Sequence, residues 1–189
     1  MTTFLKFLTG LLLLVCSSVA FAGFHLEPYA AFAASGEWDN GLRTDKISMT
    51  NFGTKLGYQS SFGLQVGGDI QLGSGTFKTA SAGQQDLKAA SAAFGAYLGY
   101  QTFFGLRGYA HYLFSSAVAL DDSINSALVG NGIKLGVGYS IIPWLALNLE
   151  YHSMQYGKSK SDLGDATLNP KYKTNFIFVA VSFPFNFGG

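Results

Sequence analysis

Between Leu56 and Ile70 the chain alternates apolar side chains with small or polar ones at a period of two. Leu56, Tyr58, Phe62, Leu64, Val66 and Ile70 fall in one frame, and Gly57, Gln65, Gly67 and Asp69 in the other. Successive side chains of a strand point to opposite faces, so this pattern gives two strands with one apolar face. The hairpin returns over residues 98–107 and, more loosely, from Val137 through Pro143 and Trp144 to Tyr151. Gly57-Tyr58, Gly99-Tyr100 and Gly138-Tyr139 recur at intervals of roughly 40 residues, each long enough for two strands. Such a repeat predicts an up-and-down sheet, closed on itself so that no edge is left unpaired.

Eight strands are predicted, over residues 24–33, 49–59, 62–72, 89–101, 104–114, 129–140, 144–155 and 173–185. Short links at 59–62, 101–104 and 140–144 alternate with long polar links at 35–48, 73–88, 115–128 and 157–171. Strands of this length cross a bilayer when tilted, and short turns on one side with long loops on the other suit a transmembrane barrel. Pro28 has no N–H to give, which predicts a local irregularity in the first strand. The last strand is apolar in both frames; Ile177, Val179, Val181, Phe183 and Phe185 are placed outward, and a slip of one residue would reverse that choice.

The charges decide which face is which. Away from the N-terminal segment and the long links with their edges, six charged residues remain: Glu27, Lys55, Asp69, Arg107, Lys134 and Glu150. All six fall in the frame opposite the apolar one, as do His25, His111 and His152. Random placement would do this about once in 64 cases, given two faces per strand. On a lipid face near the midplane a Lys or Arg costs roughly 2–4 kcal/mol. A soluble barrel would turn the apolar face inward, but that arrangement does not account for Tyr58, Tyr100, Tyr139 and Trp144. These four lie beside the short turns, where an aromatic girdle is expected.

The expected fold is therefore all-β: an eight-stranded antiparallel up-and-down transmembrane β-barrel over residues 23–189, after a signal peptide over 1–22. Lys6, the apolar run from Leu8 to Val15, and Ala20-Phe21-Ala22 supply the three parts of a secretory signal. The single Cys16 lies within it, so no disulfide is expected after cleavage. Removing the signal leaves a chain of zero net charge, and nothing resembles a nucleic-acid footprint. Eight strands leave an interior just wide enough for side chains to fill. Gly53, Gly57, Gly63, Gly67, Gly95, Gly99, Gly105, Gly136 and Gly138 make room there for Tyr29, Tyr97, Tyr109 and Arg107. Lys55 is expected beside Glu27, and Lys134 beside Glu150, on neighbouring strands. Three acids and three bases balance, which predicts a charge-paired plug, since buried charges are normally paired.

The hairpin from Leu56 to Ile70, the strand from Trp144 to Tyr151 followed by Tyr156-Gly157, and the ending from Phe176 to Phe185 resemble the small outer-membrane β-barrel proteins. These are relatives of the OmpA transmembrane domain and of OmpX. The resemblance covers the whole chain after residue 22 and implies the outer membrane of a Gram-negative cell. It also implies contact with outer-membrane lipid and lipopolysaccharide, and insertion by the barrel assembly machinery. That machinery usually reads a terminal aromatic residue; here Asn186-Phe187-Gly188-Gly189 follows Phe185.

The family holds structural barrels, adhesion surfaces and lipid A-modifying enzymes. A monomer with a structural or surface-interaction role is expected, meeting an extracellular ligand through its long loops. Those loops carry net charges no larger than two, which names no ligand. The enzymatic alternative is a lipid A deacylase, cued by His152-Ser153. Adjacent residues point to opposite faces of a strand, which does not favour a His–Ser hydrogen bond. A narrow pore is the third reading. No dinucleotide site, phosphate loop or metal-ligand spacing occurs, so no catalytic residue and no cofactor are expected.

Overall fold

A computed structural model describes residues 23–39, 41, 44–78, 86–121, 126–161 and 164–187. The expected signal peptide lies outside these residues. The elements are β1 (Gly23–Asp39), β2 (Thr44–Gln59), β3 (Leu64–Lys78), β4 (Leu87–Gln101), β5 (Leu106–Leu120), β6 (Ala127–Ile142), β7 (Leu145–Ser161), β8 (Gly164–Ser182) and the short β9 (Phe185–Phe187). Each of the first seven pairs antiparallel with the next, and β1 pairs with both β2 and β8, so the ring closes. β9 continues along β1, with Phe24 opposite Phe187 and Leu26 opposite Phe185. The expected irregularity is at Pro28: the ladder beside β1 breaks between Ser182 and Phe185, and the Phe183 N–H donates to the Pro28 carbonyl at 2.9 Å.

Two short links are glycine turns of one design. The Gly63 and Gly105 N–H groups donate to the Ser60 and Thr102 carbonyls, and both glycines have φ near +90° (92° and 94°). Only glycine takes that conformation without strain. They are turn residues rather than makers of space in the lumen. Each also touches the next hairpin, since the Gln101 N–H donates to the Gly63 carbonyl and the Ser140 N–H to the Gly105 carbonyl, both at 2.8 Å.

The strands run further than expected. β3 is 15 residues long and β8 is 19, so each expected long link is sheet over half its length or more. A strand of 15 residues tilted by about 40° rises roughly 38 Å, against an apolar band about 25 Å tall. Above the height of such a band the faces exchange character. Trp38, Ile47, Met49, Phe77, Val118 and Leu128 point inward and are buried, while Lys46, Ser48, Lys78, Lys88 and Lys158 point outward and are exposed. Below that level the outer face carries Phe52, Leu72, Phe94, Leu135, Leu149 and Val179, all exposed from the barrel. The last strand keeps Ile177, Val179, Phe183 and Phe185 outward, with Phe176, Phe178 and Ala180 buried inside.

The lumen as candidate functional site

Glu27, Lys55, Asp69, Arg107, Lys134 and Glu150 all face the interior and are at most 2% exposed. They form two clusters. Nearer the short turns, the Glu27 carboxylate receives Lys55 Nζ at 3.0 Å and Arg107 Nη2 from across the barrel. His25 Nε2 lies 3.1 Å from the same carboxylate, and its Nδ1 is 2.7 Å from Asn186 Oδ1 on β9. Glu27 and Lys55 are direct partners in the β1–β2 register, so period two and strand order place this pair by themselves.

The second cluster is arranged differently from a simple Lys134–Glu150 pair. Lys134 Nζ is 2.8 Å from Asp69 Oδ2 on β3 and 3.8 Å from Glu150 Oε2 on β7. In register, Lys134 faces His152 and Glu150 faces Gly136, so the closer ion pair crosses the lumen instead of following the ladder. Asp69 also accepts from the Tyr29 hydroxyl at 2.9 Å and contacts His111 Nδ1 at 2.8 Å. Glu150 accepts from the Tyr109 hydroxyl at 2.6 Å and contacts His152 Nε2 at 2.9 Å. Tyr109 joins the clusters, because Lys55 Nζ sits 3.8 Å from its ring centroid, within cation–π range.

Two tyrosines expected as filler are thus hydrogen-bonding members, and each acid has a histidine beside it. A Cβ on Gly53 would run into the Tyr29 ring, and one on Gly136 into the Tyr109 ring. Those glycines leave the space that the tyrosine rings occupy. His152 points inward onto Glu150, whereas Ser153 lies in the opposite frame. Among the described residues no group of three His, Cys, Asp or Glu side chains is placed to hold a metal ion.

Above the charges lies an apolar layer drawn largely from the expected long links. Trp38 stacks on Tyr156 with centroids 5.8 Å apart and meets Phe77 and Tyr172 edge-on at 4.7 and 5.6 Å. Beneath it, a space of about 20 Å³ is bounded by Met49, Asn51, His152, Met154, Thr174 and Phe176. Above it, the mouth is a cup of about 260 Å³ lined by Phe77, Leu120, Leu128, Leu168 and Tyr172. The alternation of Ile47 and Met49 with Lys46 and Ser48 was the signal for this layer. On the outer wall Tyr58, Tyr100, Tyr139 and Trp144 are exposed, within a few residues of the short turns.

A closed antiparallel ring of eight strands, apolar outside and charged within, is the fold of the small outer-membrane β-barrel proteins. Among solved structures the chain is similar to Neisserial surface protein A, with 18% identity over 87% of this chain and 99% of that one, at a TM-score of 0.59. It is also similar to Ail, the attachment invasion locus protein of Yersinia pestis, with 10% identity over 87% and 99% of the two chains and a TM-score of 0.52. A structure of Ail in complex with the heparin analogue sucrose octasulfate matches likewise, at 11% identity over 85% and 99% and a TM-score of 0.52. No family model and no curated protein sequence matches the chain. The expected likeness to small outer-membrane barrels holds at the level of fold.

Proposed function

We propose that the chain is an outer-membrane protein of a Gram-negative cell with a structural or surface-interaction role, whose lumen is a fixed plug. The observation that carries this reading is the filling of the interior at two successive levels. Six charges meet partners inside, and above them Trp38, Tyr156 and Phe176 leave about 20 Å³, room for roughly one water. Paired charges closed over by an aromatic layer support a plug better than an ion path. The sheet closes on itself, so a single copy is complete, in contact with lipid and lipopolysaccharide after insertion by the assembly machinery. Tyr58, Tyr100, Tyr139 and Trp144 serve as its girdle on the short-turn side. Contacts with other molecules fall to the long-loop end, where the mouth cup lies. Reconstitution in a planar bilayer tests the plug. Conductance should stay at the level of the bare bilayer, and a well-defined channel current from the unaltered protein would overturn it.

A further inference from the structure

The short-turn rim is unusual in what it lacks. Residues 56–68, 98–106, 135–149 and 180–187 contain no Asp, Glu, Lys or Arg. The charged residues of that half, among them Glu27, Lys55 and Arg107, all point into the lumen. Water-facing surfaces normally carry about a quarter to a third charged residues. This rim instead exposes Phe62, Phe103, Phe104, Ile141, Trp144 and Phe187, and Phe103, in the turn joining β4 to β5, is fully exposed.

A second observation concerns the backbone. Turns in water can leave N–H and C=O groups to solvent, whereas groups in a water-poor layer must be satisfied internally. Here the Gly63 and Gly105 carbonyls accept from the neighbouring hairpin, and the Ser60 and Thr102 N–H groups donate to the Leu64 and Leu106 carbonyls at 2.8 Å. The Thr102 hydroxyl donates to the Leu106 carbonyl, and the Ser60 hydroxyl accepts from the Leu64 N–H. Two turns spend their polar groups on themselves and on each other.

We propose that the short-turn rim is a phospholipid-binding surface, seated in the headgroup layer of the periplasmic leaflet with Phe62, Phe103 and Phe104 reaching the upper acyl chains. It is continuous with the apolar outer face below the level of Lys46 and Lys78, and it rests on the membrane-spanning reading above. The rim then offers no aqueous surface to a periplasmic protein. Contacts with soluble proteins are left to the opposite, extracellular end.

Site-directed spin labelling tests this in vesicles of phosphatidylethanolamine and phosphatidylglycerol. The full chain is used with Cys16→Ser, its one native cysteine, and single labels follow from Phe103→Cys or, as a second variant, Phe62→Cys. Leu149→Cys marks the band and Lys160→Cys the water-facing end. Folding of each variant is checked by its shift on an unboiled denaturing gel. Labels at 103 and 62 should collide with oxygen in preference to a water-soluble nickel chelate, nearer to 149 than to 160. Nickel access equal to that at 160 overturns the proposal, and so does shielding from both reagents, which would mean a protein contact. Nickel access at 149 itself would instead overturn the membrane-spanning reading on which the proposal rests.

Discussion

Lys134 shows what a single residue carries in this interior. It touches two carboxylates and the Tyr29 hydroxyl, at 2.8, 3.8 and 3.1 Å, and is fully buried. Removing it strands Asp69 as a buried charge, so Lys134→Met should cost about 3–5 kcal/mol. Adding Asp69→Asn should recover much of that, giving a double-mutant coupling larger than the one with Glu150→Gln. Denaturant titration in detergent measures both; equal couplings, or none, would refute the geometry. The face taken by each of these charges can be read from period two. The Glu27–Lys55 pair can be read as well, since the two are opposite in register; Lys134–Asp69 and Arg107–Glu27 cannot, because they span the ring and depend on its closure rather than on neighbouring strands.

At the scale of the strand, three of the expected strand ends have a common cause. The first, fifth and seventh strands are expected to end at residues 33, 114 and 155. The pairing registers shift at Ala33/Ser35 against β8, at Leu113/Ser116 against β6, and between Tyr156 and Lys158 where these face Gly130 and Val129 of β6. Each bulge adds a residue and turns the following frame over, so the alternation is interrupted where the strand continues. β1 passes from Ala31 inward to Trp38 inward across such a shift. In β2 there is no bulge; there the outward residues become Ser48 and Lys46, and the pattern looks like a loop because its solvent has changed. The faces themselves permit a test. Leu149→Arg places a charge on the outer band and should cost about 2–4 kcal/mol near the midplane. Ser161→Arg, at the water-facing end, should be close to neutral. Equal yields of folded protein for the two in vesicles would show the frame to be wrong.

For the molecule as a whole, closure governs behaviour. With β1 bonded to both β2 and β8, unfolding has no free edge from which to begin. Unboiled protein should therefore run at a different mobility from boiled protein on a denaturing gel. Coincident bands, together with a helical circular dichroism spectrum, would exclude the barrel.

The exchange of faces along the strands has a further consequence, which concerns the bilayer itself. Phe52 and Leu72 lie three outward positions below Lys46 and Lys78, with Thr50, Ser48, Ser74 and Thr76 between them. These rows draw a waterline on the outer wall, and the uncharged rim draws a keel at the other end. A thicker membrane would pull lysines under the waterline, and a thinner one would lift phenylalanines clear of it. Both cost free energy for each ångström of mismatch. Insertion into vesicles of graded acyl-chain length should accordingly pass through a maximum, and a flat profile would show that the hull has no preferred draught.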